Sequence, residues 1–93
     1  MPITKSEARQ IAHDHVKAKE VGVGLELVLL DRHTMERNFG WVFFYDSKLH
    51  VETGDFQYAV AGNAPIVVTK ADGALHVTGT AHPVEHYLKE FER

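Results

Sequence analysis

The residues that come nearest to a catalytic motif lie close to the end of the sequence. His82, Glu85 and His86 fit the H-x-x-E-H pattern of inverted zinc peptidases, in which two histidines bind zinc and a glutamate acts on water. Pro83, however, is typical of a helix start, which would leave His82 outside the helix. Few residues follow the motif to supply a third ligand or a substrate cleft. We therefore expect no metal site here and interpret the motif as the first turn of a helix.

The other reactive residue types are not spaced for catalysis. The sequence contains no cysteine, which excludes disulfides, thiolate metal sites and cysteine nucleophiles. No serine lies in a G-x-S-x-G turn. Gly22 and Gly24 precede a predicted strand rather than a helix, unlike the glycines of dinucleotide-binding sites. His13 and His15 are two residues apart on a predicted helix and therefore face different ways. We expect a protein that is not an enzyme and that needs no cofactor.

The charge pattern favours a protein partner over a nucleic acid. The 93 residues carry 10 Lys and Arg against 13 Asp and Glu, a net charge of −3 with neutral histidines. Residues 1–48 are balanced, so the whole negative charge lies in residues 49–93, and no Lys or Arg occurs between Lys48 and Lys70. Nucleic-acid-binding domains usually carry a basic patch, so we expect no nucleic-acid partner.

Composition and apolar runs indicate a globular protein outside the membrane. The hydrophobic fraction of 44% and the charged fraction of 25% are ordinary for a globular domain. The apolar runs are too short to span a bilayer. The N-terminus lacks the basic lead and apolar core of a signal peptide. We therefore expect one domain over residues 1–93, located in the cytoplasm and without a membrane partner.

The two ends of the sequence predict helices. Thr4 and Glu7 have the spacing of a capping box, and Gly22 and Gly24 predict the end of the first helix. Pro83 predicts the start of the last helix. The first helix has a weakly apolar face, formed by Ala8, Ile11, Ala12, His15 and Lys19, with Val16 at its edge. The last helix has a clearly apolar face, formed by Val84, Tyr87, Leu88 and Phe91.

Four apolar runs between the helices predict strands, at residues 25–30, 41–45, 66–70 and 74–80. Asp72-Gly73 between the last two runs is typical of a β-hairpin. Residues 31–40 form a polar connection with a short helical turn. The predicted fold is α+β: an N-terminal helix, a mostly antiparallel sheet of about four strands, and a C-terminal helix.

The middle of the chain, residues 46–65, is the least regular part. Residues 49–53 have the composition of a short strand, which Gly54 ends. Asp55 is placed to cap a helical turn that runs to Ala61, and residues 62–65 form a turn. We interpret Asp46, Glu52 and Asp55 as an acidic rim that contacts a partner, although capping also explains Asp55.

The strongest strand signal, at residues 41–45, has two interpretations. Trp41 and Tyr45 point to the same side of the predicted strand, and both of its faces are apolar. Small sheets bury such runs in the core. The alternative is a contact face on which Trp41 and Tyr45 serve as aromatic anchors.

Four stretches taken together resemble immunity protein family 35, which includes the small bacterial YrhB-type proteins. The stretches are residues 39–45 (FGWVFFY), 52–55 (ETGD), 61–65 (AGNAP) and the pattern GTA-x-P-x-E at residues 79–85. The histidines of residues 82–86 are not part of the family pattern. The resemblance extends from Thr4 to Phe91.

The resemblance implies a compact α+β domain encoded beside a toxin in bacterial polymorphic toxin systems. Such a protein binds its cognate toxin, a peptidase-type or other secreted effector domain, and blocks it without catalysis or a cofactor. We expect Asp46, Glu52, Asp55 and Asn63 to contact the toxin. The YrhB-type members imply an alternative, a chaperone-like holder of unfolded polypeptides that would expose Trp41, Phe43 and Tyr45. Monomer and homodimer both stay open, because free sheet edges can pair.

Overall fold

The computed structural model describes residues 2–60 and 62–92. In chain order, its elements are α1 (Lys5–Ala18), α2 (Glu20–Val23), β1 (Leu27–Leu29), a 3-10 turn (Asp31–His33), β2 (Met35–Arg37), β3 (Gly40–Phe43), β4 (Tyr45–Ser47), α3 (Lys48–Thr53), a second 3-10 turn (Phe56–Tyr58), β5 (Ile66–Thr69), β6 (Leu75–Val77) and α4 (Val84–Leu88). The predicted α+β class, with a helix near each end, is confirmed.

The strands form two antiparallel sheets. The larger has the order β2-β3-β5-β6, with Trp41 of β3 opposite Val68 of β5. The smaller is a ribbon of β1 and β4, in which Leu27 lies opposite Ser47. An antiparallel sheet of four strands is therefore present as expected, but the run predicted at 25–30 forms β1 of the ribbon, and β2 takes its place in the sheet.

Helix α1 begins at the predicted capping box. The Glu7 backbone N–H donates to Thr4 Oγ1 at 3.2 Å, and the Thr4 backbone N–H donates to Glu7 Oε1 at 3.0 Å. Ala8, Ala12 and Val16 recur every fourth residue and are buried, so the helix packs on the sheet through one narrow apolar face. The helix ends at Ala18, short of the predicted glycines. Gly22 lies inside α2, and Gly24 caps it with φ 78°.

Both faces of the larger sheet are covered. Successive residues of a strand point to opposite faces, so β3 and β5 each contribute to two apolar clusters. The first lies under α1 and contains Ala8, Ala12, Val16, Leu27, Trp41, Phe43, Tyr45, Ile66 and Val68. The second lies under the C-terminal residues and contains Val42, Val67 and Leu88, with Phe39, Val84 and Phe91 among the residues packed on it.

Two strand predictions and one predicted connection need correction. The run at 41–45 is not one strand, because the chain leaves the larger sheet at Phe44 and continues as β4, paired with β1. Residues 49–53 belong to a helix, α3, because Ser47 supplies an N-cap. The predicted connection at 31–40 contains β2, which pairs with β3, in addition to the expected helical turn.

The hairpin at Asp72-Gly73 is confirmed. Gly73 has a φ of 69°, which glycine adopts readily, and β5 and β6 pair on either side of the turn. Gly40 is also required, because it has a φ of 150° and a Cβ atom there would lie 2.1 Å from the Val68 carbonyl oxygen. The residue that begins β3 therefore allows β5 to approach.

Candidate partner-binding surface

The 48–58 segment, formed by α3 and the second 3-10 turn, exposes apolar side chains. Phe56 is 85% exposed, Val51 is 54% exposed and Leu49 is 40% exposed. Glu52 and Asp55 are exposed in the same segment. An exposed aromatic side chain framed by carboxylates is a feature of protein-binding surfaces, whereas isolated exposed valines are common on any protein.

Ser47 joins the two ends of this segment. Its side chain is fully buried, and Ser47 Oγ accepts a hydrogen bond from the His50 backbone N–H at 2.9 Å. The same hydroxyl donates to the Tyr58 carbonyl oxygen at 2.5 Å. One side chain therefore caps α3 and fixes the far end of the segment to β4.

Asp46 has an internal role that the sequence did not reveal. Asp46 Oδ1 accepts from the Ser47 backbone N–H at 2.7 Å, and Asp46 Oδ2 lies 2.5 Å from His50 Nδ1. Its side chain is only 15% exposed. Both carboxylate oxygens therefore hold the start of α3, and contact of Asp46 with a toxin stays a prediction.

At the tip of the segment, Gly54 ends α3 and Asp55 caps the turn that follows. Gly54 has a φ of 71° and ends α3, with its N–H donating to the His50 carbonyl oxygen at 2.8 Å. Asp55 Oδ1 accepts from the Gln57 backbone N–H at 3.0 Å, and Asp55 Oδ2 accepts from Gln57 Nε2 at 2.9 Å. The predicted cap at Asp55 is confirmed, but its helical turn stops at Tyr58. Ala61, its expected end, lies outside the described residues.

Asn63 is placed beside β4 rather than on the 48–58 segment. Its side-chain Nδ2 donates to the Tyr45 carbonyl oxygen at 2.8 Å, and the residue is half-buried. The side chain therefore ties the turn at 62–65 to the ribbon. Its contact with a toxin stays a prediction.

Trp41 and Tyr45 lie in the core. They are 3% and 4% exposed, and the cluster that includes them lies under α1. Burial raises the pKa of the Tyr45 hydroxyl above its ordinary value. The core interpretation therefore applies at both positions, because the cluster they belong to is packed against α1. Their contact with a partner stays a prediction. Phe43, expected on the exposed face of a chaperone, is 1% exposed.

The candidate surface thus differs in part from the one expected. Glu52 and Asp55 are exposed as predicted, but Phe56, Val51 and Leu49 were missed. Capping could have identified α3, since Ser47 precedes it in the sequence. No local signal marks Phe56 as exposed, because phenylalanine is ordinarily a core residue.

The H-x-x-E-H stretch holds two stacked histidines and an engaged carboxylate. The rings of His82 and His86 lie with centroids 4.1 Å apart. Glu85 Oε1 accepts from Arg37 Nη2 at 2.5 Å, and Glu92 Oε1 accepts from Arg37 Nη1 at 2.9 Å. Across residues 2–60 and 62–92, no three side chains of the metal-binding types come together. Glu85 therefore joins the C-terminal helix to β2.

No helix in the described part of the chain has the length and hydrophobicity needed to cross a membrane.

Comparison with known proteins gives one family and one curated relative. The model of the family described as Immunity protein 35 matches residues 6–90. A protein of Escherichia coli (strain K12), described as "Uncharacterized protein YrhB", is 43% identical over 53 residues, or 57% of this chain. The match covers 56% of that relative, so the chain spans about half of its length. No solved structure gives a significant match.

Proposed function

Because the chain belongs to the immunity protein 35 family, we propose that it binds a cognate toxin of a bacterial polymorphic toxin system and neutralises it. The family match over residues 6–90 carries this proposal. The toxin is a peptidase-type or other secreted effector domain, and binding takes place in the cytoplasm of the producing cell. Neutralisation occurs by protein–protein interaction, without catalysis or a cofactor.

The 48–58 segment is the surface we propose for this contact. A tight inhibitor benefits from contact groups that are ordered before binding, because less conformational entropy is then lost on association. Ser47, Asp46 and Asp55 order the segment through the hydrogen bonds described above. The exposed groups of the segment are therefore held in place before a partner arrives.

The charge of the segment supports a cationic toxin surface. Glu52 and Asp55 are exposed, and the sequence has no Lys or Arg between Lys48 and Lys70. Opposite charges on two partners speed their encounter, and salt weakens this effect. Asn63 lies in the same stretch without a basic residue, and we include it among the contact residues at the edge of the surface.

Charge reversal tests the electrostatic part of this proposal. In E52K, the association rate constant for a catalytically inactive form of the neighbouring gene's toxin should fall several-fold at low salt. Stopped-flow or surface plasmon resonance at several salt concentrations measures it. Asp46 and Asp55 are left unchanged, because their reversal would disrupt α3 and the turn that follows it.

The matched control pairs E52K with E90K. Glu90 is also exposed but lies beyond α4, so E90K makes the same change in net charge on another part of the molecule. We expect E90K to associate at close to the wild-type rate. Equal rates for E52K and E90K at low salt would show that this segment does not steer the toxin.

A chaperone-like function is the second candidate, and the exposed apolar side chains favour it. Among the residues that the structure describes, six large apolar side chains are exposed, on several elements: Val21, Val23, Leu49, Val51, Phe56 and Val77. Holding unfolded chains would require a broad apolar surface that accepts many sequences. Suppression of the aggregation of an unrelated denatured protein at equimolar ratio would favour this alternative over immunity.

A further inference from the structure

We infer that Phe56 is the anchor of the interface and that it enters an apolar pocket on the toxin whose rim carries Lys or Arg. The inference rests on the proposed function, since it specifies the chemistry of that partner. It adds a residue that neither the family match nor the sequence pattern singles out.

The exposure of Phe56 is the first observation. At 85% exposure, nearly the whole ring lies in water, although the fold has two apolar clusters that bury other phenylalanines, such as Phe43. Burying a phenylalanine side chain is favourable, because its apolar area leaves water. A partner that supplies an apolar pocket for the ring would recover this free energy.

The order of the turn that presents Phe56 is the second observation. Asp55 caps the turn on one side, and the Tyr58 carbonyl oxygen is held by the buried Ser47 hydroxyl on the other. The His50 ring lies 5.9 Å from the Phe56 ring, centroid to centroid. The backbone under Phe56 is therefore fixed from both sides, as an anchor residue requires.

The charges around Phe56 define the rim of the complementary pocket. Asp55 precedes Phe56 directly, and Glu52 lies at the end of α3, with both residues exposed. For the Glu52 carboxylate, no hydrogen bond or ion pair occurs within the described residues. A pocket bordered by Lys or Arg would compensate these charges, whereas a neutral or acidic border would desolvate or repel them.

The same charges argue against the other occupants of this surface. In a two-fold dimer through Phe56, the acidic segments of both copies would face each other at the interface. Unfolded polypeptides of mixed sequence offer no fixed cationic rim. A single partner with an apolar pocket and a basic border fits both observations.

The test measures binding of the inactive toxin to wild-type protein, F56A, E52Q and V77A by calorimetry and surface plasmon resonance. F56A should raise Kd about 30-fold or more, mainly through faster dissociation. E52Q should slow association several-fold at low salt and have little effect at high salt. V77A should stay within about twofold of wild type, because Val77 is an exposed apolar residue on another element, β6.

Each other result has a defined meaning. Equal affinities of wild type and F56A would overturn the anchor while the proposed function stands. Failure of the wild-type protein to bind the toxin would overturn the proposed function, and the anchor with it. An E52Q association rate equal to that of wild type, with no salt dependence, would overturn the cationic rim.

Sedimentation showing that F56A abolishes a wild-type dimer without weakening toxin binding would assign Phe56 to self-association and overturn the anchor. Because Phe56 is exposed, unchanged circular dichroism of F56A serves as the folding control.

Discussion

At the scale of single residues, Ser47 contributes most to the candidate surface. It is the one fully buried polar side chain in the described part of the chain, and both bonds of its hydroxyl serve the 48–58 segment. Such a position is sensitive to substitution, because a lost hydroxyl leaves buried backbone groups without partners.

The substitution S47A should therefore lower the free energy of unfolding by about 1–3 kcal/mol, through loss of the α3 cap and of the bond to the Tyr58 carbonyl oxygen. Urea denaturation measures the change. Ser6 provides the control, because it is an exposed serine near the start of α1, and S6A should change the stability by less than about 0.5 kcal/mol. Equal stabilities of S47A and wild type would show that the hydroxyl does not hold the segment.

Side-chain roles near the candidate surface were only partly predictable. The caps of Thr4 and Asp55 follow from local sequence, because each contacts a backbone group two or three residues away. Asp46 was assigned to a contact surface, yet its carboxylate is used by Ser47 and His50. That use depends on α3 being a helix, whereas the sequence predicted a short strand at residues 49–53.

At the scale of elements, the edge of β1 is covered by two side chains. Glu20 Oε2 accepts from the Leu27 backbone N–H at 2.6 Å, and Lys17 Nζ donates to the Leu27 carbonyl oxygen at 2.9 Å. The two side chains also bond each other at 3.0 Å. Together they supply the acceptor and donor that a neighbouring strand would offer, and they block pairing at this edge.

Acid should lower the stability that Glu20 contributes at this edge of β1. The Leu27 N–H and Lys17 hold the pKa of Glu20 below its ordinary value of 4.5, so its stabilising effect is present above that pH and is lost as the pH falls through the lower folded pKa. E20Q should therefore be less stable than wild type at pH 7, and the difference should shrink toward about pH 3.

Urea denaturation of wild type and E20Q across this pH range measures the difference. E90Q is the control, because Glu90 is exposed and lies outside this edge. A difference between wild type and E20Q that stays constant from pH 7 to pH 3 would contradict the role of the Glu20 charge.

The elements missed by the sequence depend on tertiary pairing. Met35, Glu36 and Arg37 have no strong strand preference, and they form β2 by pairing with β3 across the turn at Asn38 and Phe39. The change of sheet at Phe44 has no local signal either. By contrast, the hairpin at Asp72-Gly73 and the start of α1 are local and were predicted correctly.

At the scale of the whole molecule, helices on both faces of the larger sheet leave the 48–58 segment as the main exposed apolar feature with an ordered backbone. The same coverage explains why the aromatic run at 41–45 is apolar on both sides. The fold class could be predicted from the order of helices and strands. The location of the contact surface could not, because it depends on which apolar side chains stay exposed after the core has formed.

Growth protection is the measurement that tests the central claim most directly. Cells that express the active toxin from the neighbouring gene should grow when they also express the wild-type chain. F56A and E52K, produced at the same level, should protect less, whereas V77A and E90K should protect as well as wild type. Death of the cells despite an excess of the wild-type chain would contradict immunity. Full protection by both F56A and E52K would contradict the surface assigned to it.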